Sequence, residues 1–101
     1  MAKRTVIWTE TAVKQRRHIL AYWINRNKST IYSEKLIRLI QQKVKAIERS
    51  PESFRKTDYI NTMIASMGHF SIYYQSTSIK IIIVAFWDNR QDPSKLLKII
   101  K

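Results

Sequence analysis

The stretch from Ile79 to Trp87 constrains this chain more than any other. It reads Ile79-Lys80-Ile81-Ile82-Ile83-Val84-Ala85-Phe86-Trp87, rich in β-branched residues and broken only by Lys80. Branching at Cβ stiffens χ1 and favours extended backbone. A half-buried strand alternates apolar and polar residues, whereas this one offers apolar side chains to both sides for much of its length, as a strand does when both of its faces are covered. It belongs in the interior of a sheet. The rest of the chain must then supply strands beside it and at least one covering layer. The run is also far short of the roughly 20 apolar residues that cross a bilayer as a helix.

Candidate neighbours lie on both sides in sequence. His69 to Tyr74 alternates, with Phe70, Ile72 and Tyr74 on one face and His69, Ser71 and Tyr73 on the other. Gln75-Ser76-Thr77-Ser78 is a hairpin turn joining it to the long strand. Gly68 punctuates before it, and Thr62 to Met67 is a further strand candidate. Thr5-Val6-Ile7-Trp8 reads as a first strand.

Two helices supply the covering layer. Thr9 or Thr11 can cap a helix from about Glu10 to Arg26, with Glu10 favoured by the positive helix start. Ala12, Ile19 and Trp23 recur along it at helical spacing, with Gln15 in the intervening turn and Tyr22 widening the stripe; Lys14, Arg17 and His18 fall away. After the polar Asn25-Arg26-Asn27-Lys28, a second helix starts near Ser29. Its apolar face is Leu36, Ile37, Ile40, Val44 and Ile47, and Pro51 ends it near Ser50. Glu52 to Asn61 has no sustained pattern and reads as a loop; Ser94 to Lys98 suits one or two helical turns. The expected fold is α+β: an N-terminal strand, a helical hairpin, then a mainly antiparallel sheet, β-α-α-β-β-β. The helices cover one sheet face and leave the other partly open. At 101 residues this is one domain spanning 1–101.

Charge and composition narrow the function. Lys and Arg number 19 against 7 Asp and Glu, a formal net charge of +12. Solubility of a small domain needs roughly 2 to 8 charges, so the excess points to an acidic macromolecular partner. Cysteine is absent and only His18 and His69 are present, which removes disulfides, thiolate catalysis and Cys-based metal sites. The N-terminal residues contain no secretory apolar region, so the chain is expected in the cytoplasm and away from membranes. A lone Gly68 builds no phosphate-cradling loop, and Glu48 and Glu52 straddle Pro51 at a helix end. No cofactor, metal or small-molecule substrate is expected.

A few residues have chemistry suited to RNA. His69, on a predicted strand face with Ser71 and Tyr73, is an imidazole, the side chain best suited to take a proton from a ribose hydroxyl; otherwise it is a solvated or interface histidine. Tyr73 is able to donate a hydrogen bond or stack on a base; otherwise it packs. Arg90, in the loop after the long strand, either clamps a phosphate or carboxylate or pairs with Asp88 or Asp92. Basic residues are spread over both helices, the loop at Arg55 and Lys56, and the C-terminal Lys95, Lys98 and Lys101. Trp87, at the strand exit, is a candidate partner anchor.

Several blocks, in order, resemble the RelE/ParE superfamily of bacterial type II toxins. Val6-Ile7-Trp8-Thr9-Glu10-Thr11-Ala12 resembles its first strand and helix start, and Ile19-Leu20-Ala21-Tyr22-Trp23 its first helix. Tyr32-Ser33-Glu34-Lys35-Leu36 opens the second helix and Ser50-Pro51 ends it. Gly68-His69-Phe70-Ser71-Ile72-Tyr73-Tyr74 is similar to the glycine-plus-strand block, and Asp88-Asn89-Arg90-Gln91-Asp92-Pro93 to the closing signature. The resemblance covers nearly the whole chain. It implies a cognate, commonly acidic antitoxin and one of two targets: DNA gyrase for ParE-like members, or mRNA in the ribosomal A site for RelE-like ones. The comparison favours ParE. Asn61 to Met67 lacks the lysines of the RelE-type strand, Ser71 stands where that branch has arginine, and Leu96 falls where it has tyrosine. Arg90 alone matches a ribonuclease position. The resemblance thus implies a gyrase inhibitor; the candidate partner-binding residues are Trp87, Arg90, Lys95 and Lys98. As a ribonuclease, the chain would rely on His69, Tyr73 and Arg90. A third reading is a non-toxic nucleic-acid-binding or degenerate member of the fold.

Overall fold

The computed structural model describes residues 4–91. The elements run β1 (Thr5–Trp8), α1 (Glu10–Asn27), α2 (Ile31–Arg49), a single 3-10 turn (Pro51–Ser53), β2 (Arg55–Lys56), β3 (Met63–Met67), β4 (Phe70–Ser76) and β5 (Lys80–Asp88). The five strands form one sheet in the order β1-β5-β4-β3-β2. β1 lies parallel to β5, and every other pairing is antiparallel. The long apolar strand is interior, as its composition requires. This is the expected α+β architecture with one addition. The segment read as a loop from Glu52 contains the 3-10 turn and the two-residue β2, which pairs with β3. Two exposed basic residues carry no hydrophobic period, so nothing in the sequence marks β2 as a strand. The expected helical turns at Ser94 to Lys98 lie outside the described residues.

The helices start and stop for local reasons. Thr9 is the N-cap of α1, its hydroxyl accepting from the Ala12 N–H at 3.2 Å. Lys28 ends α1 in the left-handed region (φ 53°), a conformation common just past helix ends. Ser29 is not itself in α2; its hydroxyl accepts from the Ile31 N–H at 3.2 Å and so steers the entry. The hairpin is stitched by buried Ser33, whose Oγ donates to the Leu20 carbonyl at 2.8 Å.

Ala12 and Ile19 of α1 and Leu36, Ile40 and Ile47 of α2 pack on one sheet face, against Ala65, Ile72, Tyr74, Ile81, Ile83 and Phe86. Ile37 stands at the margin of the second-helix stripe, 41% exposed. The opposite sheet face has a second, smaller cluster of Tyr73, Ala85 and Trp87, with Tyr59, Ile64 and Val84 packed beside it. No helix among the described residues is long and apolar enough to cross a membrane.

One irregularity governs which side chains reach which face. Tyr73 is opposite Ala85 and Tyr74 is opposite Ile83, so Val84 is an extra residue in β5, a β-bulge. Before it Ile81 and Ile83 face the helices; after it Phe86 does, while Ala85 and Trp87 face the other way. β5 also runs on past the end of β1, which pairs only as far as Ile83. The start of α1 supplies partners there: the Thr9 hydroxyl donates to the Val84 carbonyl at 3.4 Å, and Gln15 Oε1 accepts the Phe86 N–H at 2.8 Å. A polar residue in the apolar stripe of α1 thus satisfies a backbone donor that would be costly to bury unpaired.

Tyr74 anchors the other end of the core. It is fully buried, and its hydroxyl donates to the Pro51 carbonyl at 2.6 Å. Burial, aided by the nearby Glu52 charge, pushes its pKa up to about 12. Tyr74→Phe should cost about 1–2 kcal/mol by orphaning that carbonyl. Because the native state holds the phenolic proton more tightly than the unfolded chain, stability should fall as pH rises from about 10 towards 12. Urea unfolding across that range should show a shallower decline in Tyr74→Phe.

Candidate functional site

Beyond the bulge, β5 delivers Asp88 to the helix side of the sheet, where α1 crosses it. The turn that follows brings Arg90 back onto Asp88. The guanidinium donates through Nε at 2.9 Å and Nη2 at 2.8 Å to the two carboxylate oxygens, and the Arg90 N–H donates to Oδ1 at 3.0 Å. This is the fork-to-fork geometry that fixes an arginine most firmly. These hydrogen bonds hold the Asp88 carboxyl below the usual aspartate range, against the opposing effect of its partial burial; the charges of Arg90 and, more weakly, His69 act in the same downward direction. The same pairing raises the pKa of Arg90.

Arg90 also lies over two aromatic rings, 5.4 Å from the Trp23 centroid and 6.0 Å from that of Phe70. Arg26 approaches the Trp23 ring as well, at 5.3 Å, and its Nη1 donates to the Tyr22 hydroxyl at 3.2 Å. Tyr22 and Tyr32 both pack edge-on against Trp23, at 5.2 and 4.9 Å. Between α1 and the end of β5 lies a cleft of about 380 Å³, lined by His18, Ile19, Tyr22, Trp23, Arg26, Asp88, Arg90 and Gln91.

The residues expected to do chemistry are distributed unevenly around this cleft. Arg90 is in it, bound to Asp88 and still exposed at its outer edge. His69 does not stand on a strand face with Ser71 and Tyr73, as the alternation suggested. It sits in the tight turn before β4, beside Gly68 at φ +64°, exposed, with its carbonyl accepting the Asn89 N–H at 2.8 Å. The glycine's left-handed backbone closes the β3–β4 turn one residue later than the hydrophobic pattern implies. Tyr73 lies on the opposite sheet face from Arg90, 9% exposed, with its ring 6.3 Å from that of Tyr59. Burial first, and Tyr59 second, raise its pKa despite the lowering effect of Arg55.

Trp87 is 7% exposed on the Tyr73 face. Its neighbour in register is Ser71, whose hydroxyl donates to Asn89 Oδ1 at 2.8 Å. Lys95 and Lys98 lie outside the described residues. Among the described residues no three His, Asp or Glu side chains gather into a metal-binding group. The cleft residues Trp23, Arg26 and Asp88 were not singled out as a site from the sequence. Trp23 read as core and Arg26 as turn, because what joins them to Arg90 is the chain reversal after the bulge.

Comparison with known proteins places the chain in a family. Residues 6–93 match the family described as the ParE toxin of the type II toxin–antitoxin system, parDE, and the chain belongs to that family. It is therefore the toxin component of a ParDE-like module, with an antitoxin as its cognate partner. Among solved structures, a chain of the chromosomal ParDE TA system from P. aeruginosa is similar, with a TM-score of 0.72 at 15% identity. The match covers 83% of this chain and 94% of that one. At that identity the likeness speaks for the fold. No curated protein matches in sequence.

The ion pair generates a prediction. A depressed carboxylate contributes stability that is present above its unfolded pKa, about 3.9, and lost as pH falls through its native value. Asp88→Asn should lower stability at pH 7 by about 1 kcal/mol or less, since the pair is partly exposed to solvent. The gap from the parent should hold above about pH 4 and close in more acid solution. Thermal unfolding followed by circular dichroism between pH 2 and 7 checks this.

Proposed function

We propose that this toxin acts by binding DNA gyrase rather than by cutting RNA, in the cytoplasm, and that an acidic antitoxin neutralises it. The observation that carries the reading is the division of the acid–base candidates between two faces of the sheet. Cleavage next to a ribose hydroxyl needs a base within about 2.6–3.2 Å of the proton it removes and cationic groups at the phosphate. Tyr73 is buried on one face, while Arg90 is on the other and spends two of its donor atoms on Asp88. His69, in its exposed turn, is joined to neither by a side-chain hydrogen bond among the described residues. A binding mechanism asks for none of this convergence.

The charge of +12 supports the acidic antitoxin, since opposite charge raises the rate of encounter and selects the partner. Of the residues proposed as partner contacts, Arg90 presents its outer edge to solvent, and Trp87 underlies the face on which a partner would rest. Lys95 and Lys98 complete the proposed set.

The test is to assay the purified full chain in parallel for inhibition of gyrase supercoiling and of in vitro translation. Supercoiling should be lost while translation continues, and His69→Ala should inhibit within about twofold of the parent. Translation arrest accompanied by cut mRNA would overturn the proposal in favour of the ribonuclease reading. No effect in either assay would favour a non-toxic member of the fold.

A further inference from the structure

The cleft between α1 and the end of β5 has a composition that toxicity alone does not call for. Its wall on α1 is aromatic, Tyr22 and Trp23, and two guanidiniums approach the same indole from Arg26 and Arg90. A guanidinium over a ring is held by its face, which leaves in-plane N–H groups for an acceptor. Asp88 offsets the charge of Arg90. No described carboxylate bridges to Arg26, so the lining retains one full positive charge, with His18 beside it.

That charge count discriminates between ligands. A phosphodiester chain carries a charge on every unit and is usually gripped by several cations or by free backbone N–H groups. Here the backbone donors of the turn are taken: Arg90 N–H by Asp88 Oδ1 and Gln91 N–H by the Asp88 carbonyl. One fixed charge beside an indole suits one carboxylate flanked by apolar surface. The volume of about 380 Å³ is at the small end of ligand sites, room for a few side chains and not for a folded element.

We infer that this cleft receives a short acidic peptide segment, a Glu or Asp carboxylate next to an aromatic or aliphatic side chain, presented by a protein partner. The carboxylate bonds to Arg26, and to the edge of Arg90 that Asp88 leaves free. The apolar neighbour lies against Trp23 and Tyr22. Identifying that partner with the antitoxin rests on the reading given above; the chemistry of the cleft does not.

The test uses the full chain labelled with ¹⁵N and three probes: acetyl-Leu-Glu-Phe-amide, its Gln counterpart, and the tetranucleotide dT4. The Trp23 indole N–H resonance, identified by its loss in Trp23→Phe, is followed by NMR. The Glu peptide should shift it saturably, and the Gln peptide should bind about tenfold more weakly, the loss expected for one charged hydrogen bond. Arg26→Ala, at an exposed position, should weaken the Glu peptide by a similar factor while keeping the parent's thermal midpoint. Equal binding of the two peptides, or an unchanged affinity in Arg26→Ala, would sink the inference. Tighter saturable binding of dT4 at this resonance would replace it with a phosphodiester site. Neither gyrase nor antitoxin enters the assay, so peptide binding without toxicity would count against the proposed function alone. Toxicity without peptide binding would count against the cleft alone.

Discussion

The extra residue at Val84 is the constraint on which the rest of the molecule turns. A strand repeats every two residues, so a single insertion exchanges the faces of everything beyond it. With the bulge, Phe86 completes the core beneath the helices and lies stacked with Phe70 at 5.6 Å. Asp88 arrives on the helix side, where Arg90 finds it. Without it, Ala85 and Trp87 would take the core positions, and the Asp88–Arg90 pair would form on the other side of the sheet, away from Trp23. β1 stops at the residue before the bulge, and Thr9 and Gln15 supply two hydrogen bonds to the stretch of β5 left without it. The arrangement is tight enough that Gln15 Nε2 is buried without a described partner. One donor left over is a modest cost beside the Phe86 N–H it would otherwise strand.

The same shift explains why the sheet presents two unlike surfaces. One receives the helices and, at its edge, the Arg26–Trp23–Arg90 cleft. The other carries the Tyr73–Ala85–Trp87 cluster, apolar at its centre, with Arg55 and Lys56 near Tyr59 and Tyr73. Acid–base chemistry depends on groups meeting at one atom, whereas recognition benefits from separate surfaces with separate characters. Membership in the ParE toxin family gives the chain an antitoxin as one partner to be recognised.

How far the sequence foretold this follows from the range of the forces involved. The order of elements was legible because it rests on local signals. Thr9 is a cap, Pro51 is a stop, the Leu36–Ile47 stripe has helical period, and Ile79 to Trp87 admits only an interior strand. β2 was not legible, since two charged residues form a strand only because β3 offers an edge to them. The strand face assigned to His69 failed through the turn geometry at Gly68. The cleft was hidden for a third reason. Its residues are some 65 positions apart in sequence, and they meet only through a bulge inside a uniformly apolar run, where an extra apolar residue leaves no mark. Gln15 was the one visible trace: an amide in an otherwise apolar stripe, whose purpose is apparent only once the Phe86 N–H is seen without a strand beside it.

The brevity and charge of β2 have a consequence for the free toxin. A sheet that ends in an open edge invites another chain to continue it, and identical copies are the nearest candidates. At the β2 edge that margin carries Arg55 and Lys56, both exposed. A second copy approaching edge to edge would bring like charges together over too few backbone groups to compensate. At this border, β1 forming the other, like charge opposes a second copy while a chain of opposite sign is electrostatically welcome.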